Sequence, residues 1–115
     1  MTARRLVRVA PVAAVLALTL TAAPAAAANA QTIFAKTCSI CHGPEGQPIE
    51  VFTKQGVRNF KDEAWQKAST DAQIEKSIRE GRKGTLMASF EKQYSAEEIK
   101  GLVAYIRKLG GHKEN

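Results

Sequence analysis

Cys38-Ser39-Ile40-Cys41-His42 is the stretch from which the rest of this sequence is best understood. Two cysteines stand three residues apart and a histidine follows the second directly, which is the pattern of covalent haem attachment. The thiols add to the two vinyl groups of one haem edge, so they must lie about one helical turn apart. The next imidazole can then face the iron. We therefore predict one haem c linked to Cys38 and Cys41, with His42 as an axial ligand.

Two other kinds of site use paired cysteines. A redox disulfide of the thioredoxin kind normally occurs in a βαβ context, and no strand–helix–strand alternation surrounds this motif. A structural zinc site takes four ligands, usually from two such pairs, whereas the chain has two cysteines and two histidines in all. The motif therefore favours haem attachment, with a redox or structural disulfide as the alternative.

Residues 1–30 have the order of a secretory signal peptide. Three arginines are followed by an apolar run and then by small residues, with no acidic side chain. Cleavage after Ala28 or Ala30 fits the small-residue pattern and leaves a single domain over residues 31–115. The apolar run, about 15 residues, is short for a membrane-spanning helix. An N-terminal anchor that is not cleaved is the alternative.

The charge and size of the mature chain limit the classes of partner. The full sequence has 17 basic and 11 acidic residues, a net charge of +6, and loss of the three signal-peptide arginines lowers it to +3. This excess is too small to indicate nucleic-acid binding, which needs a concentrated basic patch. It allows weak docking onto an acidic partner. A chain of about 85 residues also has a small core, which a bound haem would help to stabilise.

The second axial ligand can be approached by elimination. It decides whether a haem protein passes electrons or binds a small molecule. Beyond the signal segment the only methionine is Met87, and the only histidine besides His42 is His112, near the C-terminus. Met87 lies in a predicted loop that can fold across the second face of the haem. We predict Met87 as the ligand and His112 as a tail residue; the alternative for Met87 is core packing.

The remaining sequence predicts helices and loops, with no strand pair. Capping boxes at Thr70/Gln73 and Ser95/Glu98 mark two helix starts, and the last helix has apolar residues at i, i+3, i+4 and i+7. The first predicted helix, over about 31–37, leads into the motif, and Gly43-Pro44 stops it. Two further helices are predicted over about 71–80 and from Ser95 to Gly110. A short helical turn is predicted between Phe60 and Trp65. The pattern is all-α.

Residues 45–58 show no sustained period and predict an irregular loop along one haem edge. Within it Pro48 is a candidate to offer its carbonyl to the His42 Nδ1 proton. Such a bond would fix the orientation of the imidazole and raise its basicity. An ordinary turn proline is the alternative interpretation.

Taken together, these features resemble the bacterial class I c-type cytochromes of the small, soluble, single-haem kind. The resemblance covers residues 31–110 and rests on the motif, the ligand loop Met87-Ala88-Ser89-Phe90 and the last helix. It implies an all-α cytochrome c fold with three to four short helices and loops wrapped around one covalent haem. In that family the first and last helices cross beside the haem, which would place Phe34 against Leu102 and Tyr105.

The sequence departs from the family at Ala88, where a proline usually follows the ligand methionine. Proline fixes φ, so without it we expect a softer ligand loop and a bond from Met87 to iron that opens more easily. This departure favours the alternative function, a haem-based small-ligand sensor or a peroxidase-type enzyme with a labile sixth ligand.

The function implied by the resemblance is one-electron transfer, with no enzymatic step, in a periplasmic respiratory or dehydrogenase-linked chain. The partners would be redox proteins that donate and accept the electron, without nucleic acid. We expect an exported monomer with no stable membrane span after cleavage. The alternatives are anchoring to the outer face of the cytoplasmic membrane by an uncleaved N-terminus, and a haem subunit tethered to a larger dehydrogenase or oxidase.

Overall fold

The computed structural model describes residues 5–20 and 25–113, and within them it contains helices and no strand. This confirms the predicted all-α fold. The predicted number of three to four helices is too low, because several helices are only one or two turns long. The helical segments are α1 Ala25–Ile33, a π-helical turn Phe34–Cys38, α2 Ser39–His42, α3 Glu50–Lys54, α4 Glu63–Ala68, α5 Asp71–Glu80 and α6 Ala96–Leu109.

The motif lies on a continuous helical stretch formed by α1, the π-helical turn and α2. It begins at Ala25, earlier than the predicted start near residue 31, and it runs through His42. Gly43 ends it with φ +81°, and a Cβ at this position would overlap the carbonyl group of Gln47. Only glycine fits such a backbone without strain, so the predicted stop at Gly43-Pro44 is confirmed.

The stretch after the motif is more ordered than predicted. Residues 45–58 contain helix α3, so their assignment as one irregular loop is wrong in part. Helix α4 replaces the predicted turn between Phe60 and Trp65 and lies slightly later in the chain. The Asp62 carboxylate caps α4 by accepting the backbone N–H groups of Ala64 and Trp65. A free helical N–H thus finds its acceptor in a side chain.

Helices α5 and α6 begin where the sequence predicts. Both capping boxes are formed: the Thr70 hydroxyl accepts the Gln73 N–H at 3.1 Å, and the Ser95 hydroxyl accepts the Glu98 N–H at 3.1 Å. The reciprocal bonds from the side chains of residues 73 and 98 are also present. These signals involve residues three apart, and for this reason they can be read directly from the sequence.

The core forms where α1 and α6 pack together, with α5 against α6. The rings of Phe34 and Tyr105 lie 5.2 Å apart between centroids, and Phe34 and Leu102 are each only 1% exposed within the same buried cluster. The predicted crossing of the first and last helices is therefore confirmed. The buried cluster consists of Ala30, Ile33, Phe34, Phe60, Ile74, Ile78, Ile99, Leu102, Val103 and Ile106.

A buried amide ties α4 to α6. Gln66 is 3% exposed, and its Nε2 donates to the carbonyls of Phe60 at 2.7 Å and Ile106 at 3.0 Å. Its Oε1 accepts from Arg107 Nη1 at 2.9 Å. Arg107 also donates to the Asp71 carboxylate at 2.8 Å. Both polar atoms of the Gln66 amide thus have partners, and the network holds α4 and α6 together.

None of the helices in the described part of the chain combines the length and the apolar character needed to cross a membrane.

Candidate haem site

A cavity of about 530 Å³ opens beside the motif, between the first helical stretch and the elements that follow it. This volume is typical of cofactor pockets. Its walls include the side chains that the sequence singles out, namely Cys38, Cys41, His42 and Met87. The structure therefore brings all the predicted site residues to one cavity, although Met87 is far from the motif in the sequence.

His42 is buried at 9% exposure, and its Nδ1 lies 2.9 Å from the carbonyl oxygen of Arg58. Since a carbonyl only accepts, Nδ1 carries the proton and Nε2 keeps a free lone pair. Burial lowers the pKa of the His42 imidazole, with the bond to Arg58 acting in the opposite direction. The lowered pKa favours the neutral ring, whose Nε2 is the nitrogen that a haem iron would take.

The predicted role of Pro48 is wrong. The carbonyl of Pro48 lies 3.5 Å from the Thr53 hydroxyl, which donates to it. The chain turns into α3 after this residue, and the next segment brings the Arg58 carbonyl to the imidazole instead. The kind of bond was predicted correctly, whereas its acceptor lies ten residues further along the chain.

Phe60 is a site residue that sequence reasoning missed. Its ring stacks on the His42 imidazole with centroids 4.3 Å apart and an angle of 17° between the planes. It also contacts Phe34 at 6.1 Å and Trp65 at 5.2 Å between centroids. The orientation of the His42 imidazole is therefore fixed by the hydrogen bond to the Arg58 carbonyl at its edge and by the Phe60 ring on its face. The sequence signal was weak, since Phe60 appeared only as an apolar residue near a turn.

The two cysteines are free thiols in the structure, both partly buried. Burial, and then the neighbouring Cys41 thiol, raise the pKa of Cys38 to about 11. Within residues 5–20 and 25–113 no group of three or more His, Cys, Asp or Glu side chains could hold a metal ion.

Met87 lies in the loop between α5 and α6, as predicted, and its half-buried side chain lines the cavity. Its backbone is held on both sides: its N–H donates to the Thr85 hydroxyl at 3.2 Å, and its carbonyl accepts the Arg82 N–H at 3.0 Å. His112, by contrast, is exposed beyond α6 and is not among the described residues that line the cavity. Of the two candidate second ligands, Met87 alone is at the site.

The charged groups around the cavity have one sign. Arg58, Lys76 and Arg82 line it, and no carboxylate side chain does among the described residues. Trp65 also lines it, and an indole carries one N–H donor. A cavity with apolar walls, cationic side chains and two adjacent thiols fits a haem, which is largely apolar and carries two propionate groups.

Comparison with known proteins agrees with this fit. The family described as "Cytochrome C oxidase, cbb3-type, subunit III" matches residues 25–106. The "Cbb3-type cytochrome c oxidase subunit FixP" of Bradyrhizobium sp. (strain ORS 278) is 36% identical over 90 residues, which is 76% of this chain and 29% of that protein. The corresponding subunit CcoP of Rubrivivax gelatinosus is 27% identical over 92 residues, covering 80% of this chain and 29% of the relative.

The chain thus spans less than a third of the length of these curated relatives. A solved structure described as "KustC0563 c-type cytochrome" matches with a TM-score of 0.64 and 31% identity, covering 70% of this chain and 95% of that one. A c-type cytochrome carries covalently bound haem c with its iron, and the cavity described above fits that group. The chain is therefore a c-type cytochrome that belongs to the family of the cbb3-type cytochrome c oxidase subunit III.

Proposed function

We propose that this chain is a one-electron carrier in which Cys38 and Cys41 hold the haem and His42 and Met87 are its axial ligands. The observation that supports this most strongly is that all four side chains line one cavity. The bound haem would supply an iron that cycles between the ferric and ferrous states. A carrier of this kind makes and breaks no substrate bond.

The contribution of the protein is to keep the iron ligands in the same place in both oxidation states. The His42 ring is held at its Nδ1 edge by the Arg58 carbonyl and on its face by Phe60. The Nε2 lone pair therefore keeps one direction when the charge at the site changes. The Met87 thioether is neutral and soft, which favours ferrous iron and raises the reduction potential.

The place of the carrier in a redox chain is suggested by its relatives. They are named as subunits of cbb3-type cytochrome c oxidases, and we infer that this chain delivers electrons in a respiratory chain that ends at an oxidase. The redox partners would approach the cavity mouth, where those side chains among Arg58, Lys76 and Arg82 that do not pair with a haem propionate would favour an acidic surface. Export by the segment 1–30 would place this transfer in the periplasm.

Carbon monoxide distinguishes the carrier from the alternative of a ligand sensor or peroxidase-type enzyme. A carrier whose sixth position is occupied by Met87 does not bind carbon monoxide readily. We expect the visible spectrum of the reduced holoprotein at neutral pH to stay unchanged when the gas is added. The Met87→Ala variant should bind carbon monoxide fully and serves as the positive control. Rapid and complete binding by the wild-type protein would show that the iron has an open face, and it would contradict the carrier function.

A further inference from the structure

The loop that carries Met87 is packed tightly against the end of α5. Gly81, at the end of that helix, has φ +72°. A Cβ added to it would lie 2.8 Å from the Met87 carbonyl oxygen and 2.8 Å from the Ser89 nitrogen. The backbone of residues 87–89 therefore lies directly on Gly81. Contacts this short leave no room for a side chain, so glycine permits the close approach.

The segment after Met87 also satisfies the end of α5. The last carbonyls of a helix have no partner within it. Here the Phe90 N–H donates to the Ile78 carbonyl at 3.0 Å, and the Glu91 N–H donates to the Arg79 carbonyl at 3.2 Å. The Ser89 hydroxyl donates to the same Arg79 carbonyl at 2.6 Å. The loop is thus attached to the helix by backbone bonds and by one side chain next to Ala88.

A second hydroxyl acts on the other side of Met87. Thr85 Oγ1 donates to the Arg82 carbonyl at 2.7 Å and accepts the Met87 N–H at 3.2 Å. Residue 88 is alanine, whose φ is not fixed by a ring. The two side-chain hydroxyls therefore restrain the loop on either side of a position where its backbone has ordinary freedom.

We propose that Thr85 and Ser89 are positioning residues that hold Met87 at the iron and set how readily this ligand dissociates. The proposal rests on the proposed function, in which Met87 is the sixth ligand. Thr85 lines the cavity, whereas Ser89 does not appear among the described residues that do. Substitution of Ser89 can therefore change ligand exchange only through the loop and not by altering the cavity surface.

The test is the dissociation constant for imidazole binding to the ferric holoprotein, because imidazole must displace Met87 to bind. Ser89→Ala loses one exposed hydrogen bond and Thr85→Val loses two. We expect each variant to bind imidazole at least threefold more tightly, and the double variant roughly tenfold. Thr85→Ser keeps the hydroxyl and should return the wild-type value. The control is Thr53→Val on helix α3. It removes a hydroxyl that donates to the Ile49 carbonyl at 3.2 Å. It should leave imidazole binding unchanged.

Two outcomes would overturn the proposal. One is that Ser89→Ala and Thr85→Val both bind imidazole with the wild-type affinity. This holds even if their urea denaturation midpoints fall, because the hydroxyls would then stabilise the fold without positioning Met87. The other is a change in Thr53→Val as large as theirs. The Met87→Ala variant distinguishes a failure of the positioning role from a failure of the proposed function. If Met87→Ala binds imidazole no more tightly than wild type, Met87 is not the ligand, and the proposed function fails together with the positioning role. If Met87→Ala binds tightly and the hydroxyl variants do not, only the positioning role fails.

Discussion

The imidazole of His42 and the carbonyl oxygen of Arg58 are joined by a hydrogen bond of 2.9 Å across sixteen residues of sequence. Because the acceptor belongs to the backbone, side-chain substitution at position 58 cannot remove it. The bond fixes the tautomer of the ring and leaves the Nε2 lone pair free, as the proposed ligation of the iron by His42 requires. The orientation of the predicted proximal ligand therefore depends on the path of the chain after α3 and on the residues that hold this path in place.

Phe60 is the residue whose side chain contributes most directly to that orientation. It is 5% exposed and stacks on His42 at 4.3 Å. We expect Phe60→Leu to lower the free energy of unfolding by about 2 kcal/mol, because buried aromatic contacts are lost and a small cavity forms. Urea denaturation of the holoprotein, followed by far-UV circular dichroism, measures this. Phe52→Leu, at a half-buried position on α3, is the matched control. Equal stability of the two variants would show that the buried Phe60 ring stabilises the fold no more than the half-buried Phe52 ring does.

Gln66 is expected to stabilise the fold through its amide. Replacing it with leucine leaves the Phe60 carbonyl without the amide donor that lies 2.7 Å away and removes the acceptor of Arg107 Nη1. An unsatisfied buried polar group costs about 1–3 kcal/mol, so Gln66→Leu should destabilise the holoprotein by roughly 2 kcal/mol. Gln93→Leu, at an exposed position, should change stability by less than about 0.5 kcal/mol. Thermal or urea unfolding compares the stability of the two variants. A similarly small loss of stability in both would show that the hydrogen bonds of Gln66 contribute little to the stability of the fold.

The structure favours one of the two predicted cleavage positions. Ala30 is 1% exposed and belongs to the buried cluster, whereas Asn29 is exposed. Cleavage after Ala30 would remove a core residue, so we predict cleavage after Ala28 and a mature chain that begins at Asn29. The intact mass of the exported holoprotein decides this. A mass that begins at Gln31 would contradict the prediction, and one that retains residues 1–28 would establish the uncleaved anchor.

The sequence could predict those features that depend on neighbouring residues. The motif places Cys38, Cys41 and His42 on one helical stretch, and the capping boxes mark the first residues of α5 and α6 because their hydrogen bonds span three residues. The crossing of Phe34 and Tyr105 was predicted from a family resemblance and not from the residues themselves. The identity of the cofactor followed from the spacing of two thiols and one imidazole.

Features that depend on the path of the chain in space were missed. Helix α3 has five residues, and so short a helix shows no apolar period. The sequence offers Pro48 as a candidate acceptor for the His42 Nδ1 proton, yet which loop carbonyl reaches the imidazole is decided by the fold. Phe60 and Gln66 likewise have their roles through contacts with residues far away in sequence. No local pattern marks such residues.

In the proposed function Met87 and His42 are the two axial ligands of the haem iron. This ligation is tested most directly by the visible spectrum of the ferric holoprotein, recorded for the wild type and for Met87→Ala. Coordination of ferric iron by a thioether gives a weak charge-transfer band in the far red. We predict that the wild type has this band, that Met87→Ala lacks it, and that the reduction potential of the variant is much lower. A wild-type spectrum that lacks the band and is high-spin would contradict ligation by Met87, and it would make binding of small ligands the better explanation of this site.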